Sequence, residues 1–237
     1  MMEKSSIGWQ KQPNKLNIQG TIEQAIKTIT GEEVELNASG RTDAGVHAFG
    51  QVANFKTNSN IPTEKIAIAL NSNLKKSIRI ISAEEVDEKF HSRLTCKQKT
   101  YRYVINNSEL SSAIYRNLET HIPQKLNVEK MKKAIKYFEG EHDFKAFKSS
   151  GTSSKSSVRT IYKAEIIEMP NNRIYIELTG NGFLYNMVRI ISGTLVEVGL
   201  EKMDADDIPN IIDSKDRSLA GKTLPPNGLY LLNVEYD

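Results

Sequence analysis

The stretch "ASGRTDAGVHAFGQVANF" runs from Ala38 to Phe55. It places one carboxylate, Asp43, two residues after Arg41 and two before Gly45. Glycine and small neighbours permit a tight turn and close approach by a ligand. The alternating run "GQVANFKT" behind it reads as a strand. A lone Asp in a turn ordinarily caps that turn or the next helix. Here the neighbouring guanidinium of Arg41 would keep the carboxylate ionised. An ionised carboxylate in a cleft serves as a nucleophile or as a base.

Working outward, the first half of the chain reads helix, strand, strand, helix, strand. "NIQGTIEQAIKTIT" has apolar residues at helical spacing and stops near Gly31. "EVELNAS" and "GQVANFKT" alternate as strands, "IPTEKIAIALNSNL" is a helix with Pro62 early in it, and "SIRIISAEEV" (Ser77 to Val86) is another strand. The second half starts near Lys89. It reads strand ("KQKTYRYVIN"), amphipathic helix ("NVEKMKKAIKYFEG"), a hairpin around "PNN", a long apolar helix ("GFLYNMVRIISGTLVEVGL"), a short helix ("ADDIPNIIDS") and a closing strand ("GLYLLNVEYD").

The halves match if the first lacks its opening strand. Each is then a β-α-β-β-α-β unit with helices on one face of an antiparallel sheet. The expected fold is α+β, with two ferredoxin-like-related halves, residues 1–88 and 89–237, and an active-site cleft between them. "KSSGTSSKSS" (Lys148 to Ser157) reads as a mobile loop, either a lid over that cleft or an inert linker.

Composition narrows the function. The chain has 237 residues, 38% hydrophobic and 26% charged, as in an ordinary soluble protein. No apolar run approaches the ~20 residues that span a bilayer, so no membrane role is expected. The N-terminus shows no signal-peptide pattern, and one cysteine, Cys96, suits a reducing cytoplasm. One Cys and four scattered His give no zinc-ligand spacing. The net charge of +3 hides a segregation. Residues 89–108 carry Lys89, Arg93, Lys97, Lys99 and Arg102 without an acid, and residues 144–164 carry Lys145, Lys148, Lys155, Arg159 and Lys163 without one. A positive surface on a mildly acidic body suggests a polyanionic partner. The aromatic interleaving of "KFHSRLTCKQKTYRY" points to RNA, where stacking and phosphate contacts act together. If "KQKTYRYV" is a strand, Lys97, Lys99, Tyr101 and Tyr103 share a face. Arg189 sits in a helix whose apolar face includes Leu184, Val188, Ile191, Leu195 and Val198. A charge there is either solvated or paired in a cleft, and the apolar surroundings favour pairing.

"GRTDAGVHA" followed by "GQVANF" resembles the active-site signature of the tRNA pseudouridine synthase A (TruA) family. "GWQKQPN" (Gly8 to Asn14), "FHSRLTCKQKTYRY" (Phe90 to Tyr103), "FEGEHDFKAF" (Phe138 to Phe147), "VRTI" (Val158 to Ile161), "GNGFLYNMVRIISGTLVEVG" (Gly180 to Gly199) and "GLYLLNVEYD" (Gly228 to Asp237) continue the resemblance in the family's order. It implies conversion of uridine to pseudouridine at positions 38, 39 and 40 in the anticodon stem-loop of tRNA, without a cofactor, by a cytoplasmic homodimer. It makes Asp43 the nucleophile, Tyr101 the ring that packs on the target uracil, and Arg189 the partner of Asp43. Arg41 would contact the flipped nucleotide or a phosphate, and Arg102, Lys99 and Lys145 would bind RNA. His47 and His142 are expected to be structural, since the isomerisation needs no imidazole.

The family opens with a strand bearing a "YDGT"-like turn, where this chain has only "MMEKSSI". The same strand is missing from the comparison of halves. The expected alternative to an enzyme is therefore a tRNA-binding paralogue whose catalysis is impaired.

Overall fold

In the computed structural model, which describes residues 8–10, 17–151 and 156–236, the chain packs as two compact units. The first is Met1–Val46 with Gln51–Cys96, and the second is His47–Gly50 with Lys97–Asp237. The architecture is mixed α and β, with sheets that are mainly antiparallel.

In the first unit, Asn17 caps helix α1 (Ile18–Thr30) by accepting from Gly20 N–H at 2.7 Å. Gly31 ends it in the left-handed region at φ 79°, which glycine adopts without a Cβ penalty. Ile22, Ala25 and Ile26 turn one stripe inward against Trp9, Leu36, Leu70 and Leu74. Each large apolar side chain buried this way contributes about 1.5–3 kcal/mol. Leu70 comes from helix α2 (Thr63–Asn73), which begins directly after Pro62. Strands β1 (Asn37–Ala38) and β3 (Ala53–Asn54) pair antiparallel, and residues 39–52 link them. The "FHSR" segment is pinned to both: buried Ser92 donates its hydroxyl to Asn37 C=O at 2.8 Å, and its N–H to Asn54 Oδ1 at 2.9 Å.

The strand expected over Ser77–Val86 does not form as a regular strand. Asn71 of α2 takes both backbone groups of Ile80, donating to its C=O at 2.8 Å and accepting from its N–H at 2.9 Å. A side chain thus does there what a ladder partner would. The expected missing first strand concerns residues 1–7, which lie outside the described residues, as do Lys11 to Leu16.

The second unit is built on one sheet, with strand order β2-β9-β4-β8-β7-β6 and β5 beside β4. Its strands are β2 (His47–Ala48), β4 (Gln98–Asn106), β5 (Thr120–His121), β6 (Gly140–Asp143), β7 (Val158–Met169), β8 (Arg173–Gly180) and β9 (Leu229–Glu235). The β7–β8 hairpin turns as expected, with Asn171 and Asn172 both at positive φ, a conformation Asn tolerates better than most residues. Helices α3 (Val128–Lys136), α4 (Met187–Gly199) and α5 (Ile208–Ser214) complete the unit. Its core gathers Tyr103, Ile105, Met131, Ile135, Phe138, Phe144, Phe147, Ile176, Leu178 and Met187. Three of its strands escaped the sequence reading, the first being the two-residue β2. β5 is two residues long, and β6 hides in the polar run "GEHD", which only its pairing with β7 makes a strand. The centre of the serine-rich loop, residues 152–155, lies outside the described residues.

Candidate functional site

The signature is divided between the two units. Arg41 and Asp43 belong to the first, whereas His47–Gly50 joins the second unit's sheet, β2 running parallel to β9. In the first unit, Asp43 C=O accepts from Val46 N–H at 3.1 Å and Gly45 stands at φ 83°, so a tight turn presents the half-buried Asp43. Arg41 is exposed on the approach to that turn.

The turn is braced from behind. Trp9 N–H donates to Thr42 C=O at 2.9 Å, and Trp9 itself is buried in the α1–α2 core. Gly8 lies at φ 48°, where a Cβ would stand 2.9 Å from Thr42 O and 3.3 Å from Ala44 N. Gln51 secures the other side, accepting from Ser39 Oγ at 2.5 Å and donating to Gly40 C=O at 2.9 Å. Sequence reading missed Gly8 and Gln51 as supports. The "GWQ" block carried the hint, but its contact partner lies more than thirty residues away. Gly8→Ala is expected to destabilise the fold by about 1–3 kcal/mol, through positive φ and overpacking. It should also lower turnover, because the displaced atoms carry Asp43. Thermal melting beside turnover checks this; an unchanged melt would show that the brace yields freely.

His47 has a structural setting. Its Nε2 lies 2.9 Å from Asn117 C=O, and its ring packs 4.7 Å from that of Tyr230. Burial holds its pKa below the ordinary 6.5, against the opposing pull of the backbone carbonyls. The unfolded chain takes up this proton near pH 6.5, and the folded chain only at lower pH. His47 therefore stabilises the fold fully above 6.5, and that contribution is lost as pH falls from 6.5 through the lowered value. The slope stays within about 1.4 kcal/mol per pH unit. Tyr230, pushed up to about 12 chiefly by burial, does not titrate in that window. Denaturant unfolding across this range should show a slope that His47→Gln removes. His142 is likewise occupied, its Nε2 2.9 Å from Glu139 C=O and its ring edge-on to Phe144.

In the second unit, Lys99, Tyr101 and Tyr103 alternate onto one face of β4. Tyr101 meets Phe183 edge-on, ring centroids 5.1 Å apart. Tyr103 is fully buried; its hydroxyl donates to Pro225 C=O at 2.7 Å, and burial raises its pKa although the positive charge of Arg189 opposes the rise. Arg189, on the first turn of α4, bonds the carbonyl next in the chain to the one that Tyr103 uses. Its Nε donates to Leu224 C=O at 2.7 Å and its Nη1 to Asn186 Oδ1 at 2.7 Å.

The structure does not bring Arg102 together with these residues. It alternates to the opposite face, where Glu177 on β8 holds its Nε at 2.7 Å and its guanidinium lies 4.5 Å over the Tyr175 ring. Within the second basic run, Lys163 pairs with Glu165 at 2.6 Å. Lys145 projects from a short 3-10 turn (Phe144–Phe147) whose Phe144, Ala146 and Phe147 are buried. Asp143 caps that turn and accepts from Ser157 Oγ at 2.5 Å. That bond first, and then Lys215, hold its carboxyl below the usual range. Among the described residues, no three His, Cys, Asp or Glu side chains gather as metal ligands. No helix among them is long and apolar enough to cross a membrane.

The sequence profile of the tRNA pseudouridine synthases matches residues 5–94 and 134–237. The chain belongs to the tRNA pseudouridine synthase family. Among curated relatives, "tRNA pseudouridine synthase A" of Caldicellulosiruptor saccharolyticus is 55% identical over 97% of this chain and 94% of its own length. The protein of that name from Acetivibrio thermocellus is 53% identical over 97% of this chain and 93% of its own. "tRNA pseudouridine synthase A 2" of Clostridium perfringens is 53% identical over 98% and 95%. The matched segments hold Arg41, Asp43, Lys145, Asn186 and Arg189, whereas Lys99, Tyr101 and Arg102 fall in the unmatched residues 95–133.

Proposed function

We propose that this chain isomerises uridine to pseudouridine at positions 38, 39 and 40 in the anticodon stem-loop of tRNA. The observation that carries the reading is Asp43, a half-buried carboxylate on a glycine turn braced by Trp9, in a chain of this family. The reaction breaks the C1′–N1 bond, turns the uracil and joins C1′ to C5. Nothing is added or lost overall, so the chemistry asks for no cofactor. Asp43 acts as the nucleophile on the nucleoside. Arg189 pairs with Asp43 and holds it ionised. The target uridine must leave the stack at a cost of a few kcal/mol. Tyr101 packs on the flipped uracil and returns roughly 1–3 kcal/mol of it. Lys99, Lys145 and Arg41 bind the RNA backbone around it. Arg102, held by Glu177, enters this reading as a brace of the sheet. We place the working protein in the cytoplasm as a homodimer.

The test is an unmodified tRNA transcript with uridines at 38 to 40, incubated with the protein and mapped by carbodiimide-adduct primer stops. Stops at those positions are the expected result. Salt-sensitive binding without any stop would mean a tRNA-binding protein without turnover. Stops confined to other positions would overturn the site assignment alone.

A further inference from the structure

Asn186 stands directly before α4, in the left-handed region at φ 61° and ψ 7°. Asn at a helix start ordinarily turns its side chain onto the first-turn N–H groups. Here no such bond forms. The amide instead reaches sideways in two directions. Its Oδ1 accepts from Arg189 Nη1 at 2.7 Å, and its Nδ2 donates to Ser149 Oγ at 3.0 Å. The orientation of the amide follows from chemistry, since a guanidinium only donates and so must face the oxygen. Ser149 is fastened a second time, its N–H donating to Tyr185 C=O at 3.1 Å. Arg189 is fastened a second time through Nε to Leu224 C=O. Bonds at two different nitrogens set the plane of the guanidinium.

We propose that Asn186 is a positioning residue for the isomerisation: it sets the plane of Arg189 and couples it to the Lys148–Gly151 segment through Ser149. The proposal rests on the role given to Arg189 above. It spends a helix-capping side chain on an arginine, which a purely structural role would not require. The left-handed backbone serves it too, by aiming the side chain away from the helix's own N–H groups.

Asn186→Gly tests it, because glycine keeps the left-handed backbone and removes only the side chain. The expected result on the tRNA transcript is a fall in kcat of about 10- to 100-fold with KM within about threefold, as misplacement of a reacting group would produce. The melting temperature should change by only a few degrees. Asn186→Asp, which keeps the acceptor for Arg189, should recover kcat to within about threefold of the unaltered protein. Ser149→Ala should lower kcat less than Asn186→Gly, and the double variant should be no worse than Asn186→Gly, since both cut one linkage. A kcat within twofold of normal for Asn186→Gly, or a loss seen only in KM, would overturn the positioning role. Additive losses would overturn the coupling to Ser149. If Asn186→Gly fails to fold, Ser149→Ala carries the test: a several-fold fall in kcat at unchanged KM supports the linkage, and a kcat within twofold of normal overturns it. Arg189→Lys, run alongside, separates the two levels. If it is fully active, the role of Arg189 falls and the proposal falls with it. If it is inactive while Asn186→Gly is active, only the positioning role is overturned.

Discussion

Asp43→Ala is expected to lower pseudouridine formation by at least about 10³-fold, the scale on which loss of a covalent or charge-stabilising group acts, while tRNA binding stays within about threefold. The fold should not suffer, because the turn is held by main-chain bonds. Val46 N–H reaches Asp43 C=O, Trp9 N–H reaches Thr42 C=O, and Gly45 supplies the positive φ. Alanine keeps all three. Asp43→Asn, which keeps the shape and removes the charge, should fail equally if the ionised carboxylate does the chemistry. Release of tritium from uridine labelled at C5 follows the reaction directly, since that position loses its hydrogen when C5 joins C1′. Near-normal release by Asp43→Ala would remove the nucleophile assignment and leave the family membership untouched. Near-normal release by Asp43→Asn alone would show that shape, not charge, is what the turn presents.

Gly193→Ala is expected to destabilise the protein by about 3 kcal/mol or more, the upper range for overpacking against backbone. Helix propensity alone predicts the opposite sign, since Ala in a helix interior is better than Gly by about 1 kcal/mol. Packing wins because a Cβ at Gly193 would stand 1.8 Å from Lys222 O. Gly221 is as tightly seated, with a Cβ position 2.6 Å from Thr194 N and Cα. Thr194 joins the two, its hydroxyl donating to Ile190 C=O and accepting from Gly221 N–H, each at 2.9 Å. The segment docked here continues to Leu224, whose carbonyl accepts from Arg189 Nε. Pushing it off α4 should therefore cost activity as well as stability. The melting temperature should fall by roughly 6–12 °C, using the usual 2–4 °C per kcal/mol at this size. A melting temperature that rises would mean that the 221–224 segment gives way freely.

Local chemistry made part of this legible in the chain itself. The ends of α1 follow from Asn17 and Gly31, the start of α3 from Asn127, and the β7–β8 turn from Asn171 and Asn172, because caps and turns depend on residues a few positions apart. The long apolar run of α4 and the alternation of β4 likewise announce helix and strand. The ordered motifs from Gly8 onward, with Asp43 at their centre, were enough for the family.

The rest depended on residues brought together from far along the chain. Asn71 replaced a strand partner for Ile80, so Ser77–Val86 has no ladder. The unbroken run "GRTDAGVHA" hides a change of unit between Asp43 and His47. Strand periodicity could separate Arg102 from Tyr101, but not show that Glu177 across the sheet would claim it. Gly193 looked like an ordinary helix residue until Lys222 was laid against it. Asn186 lies inside the run read as one long helix, and only the fold places Ser149 and Arg189 on either side of its amide. Periodicity and capping carry only local information; whether a polar group is free, paired or braced depends on its partner in space.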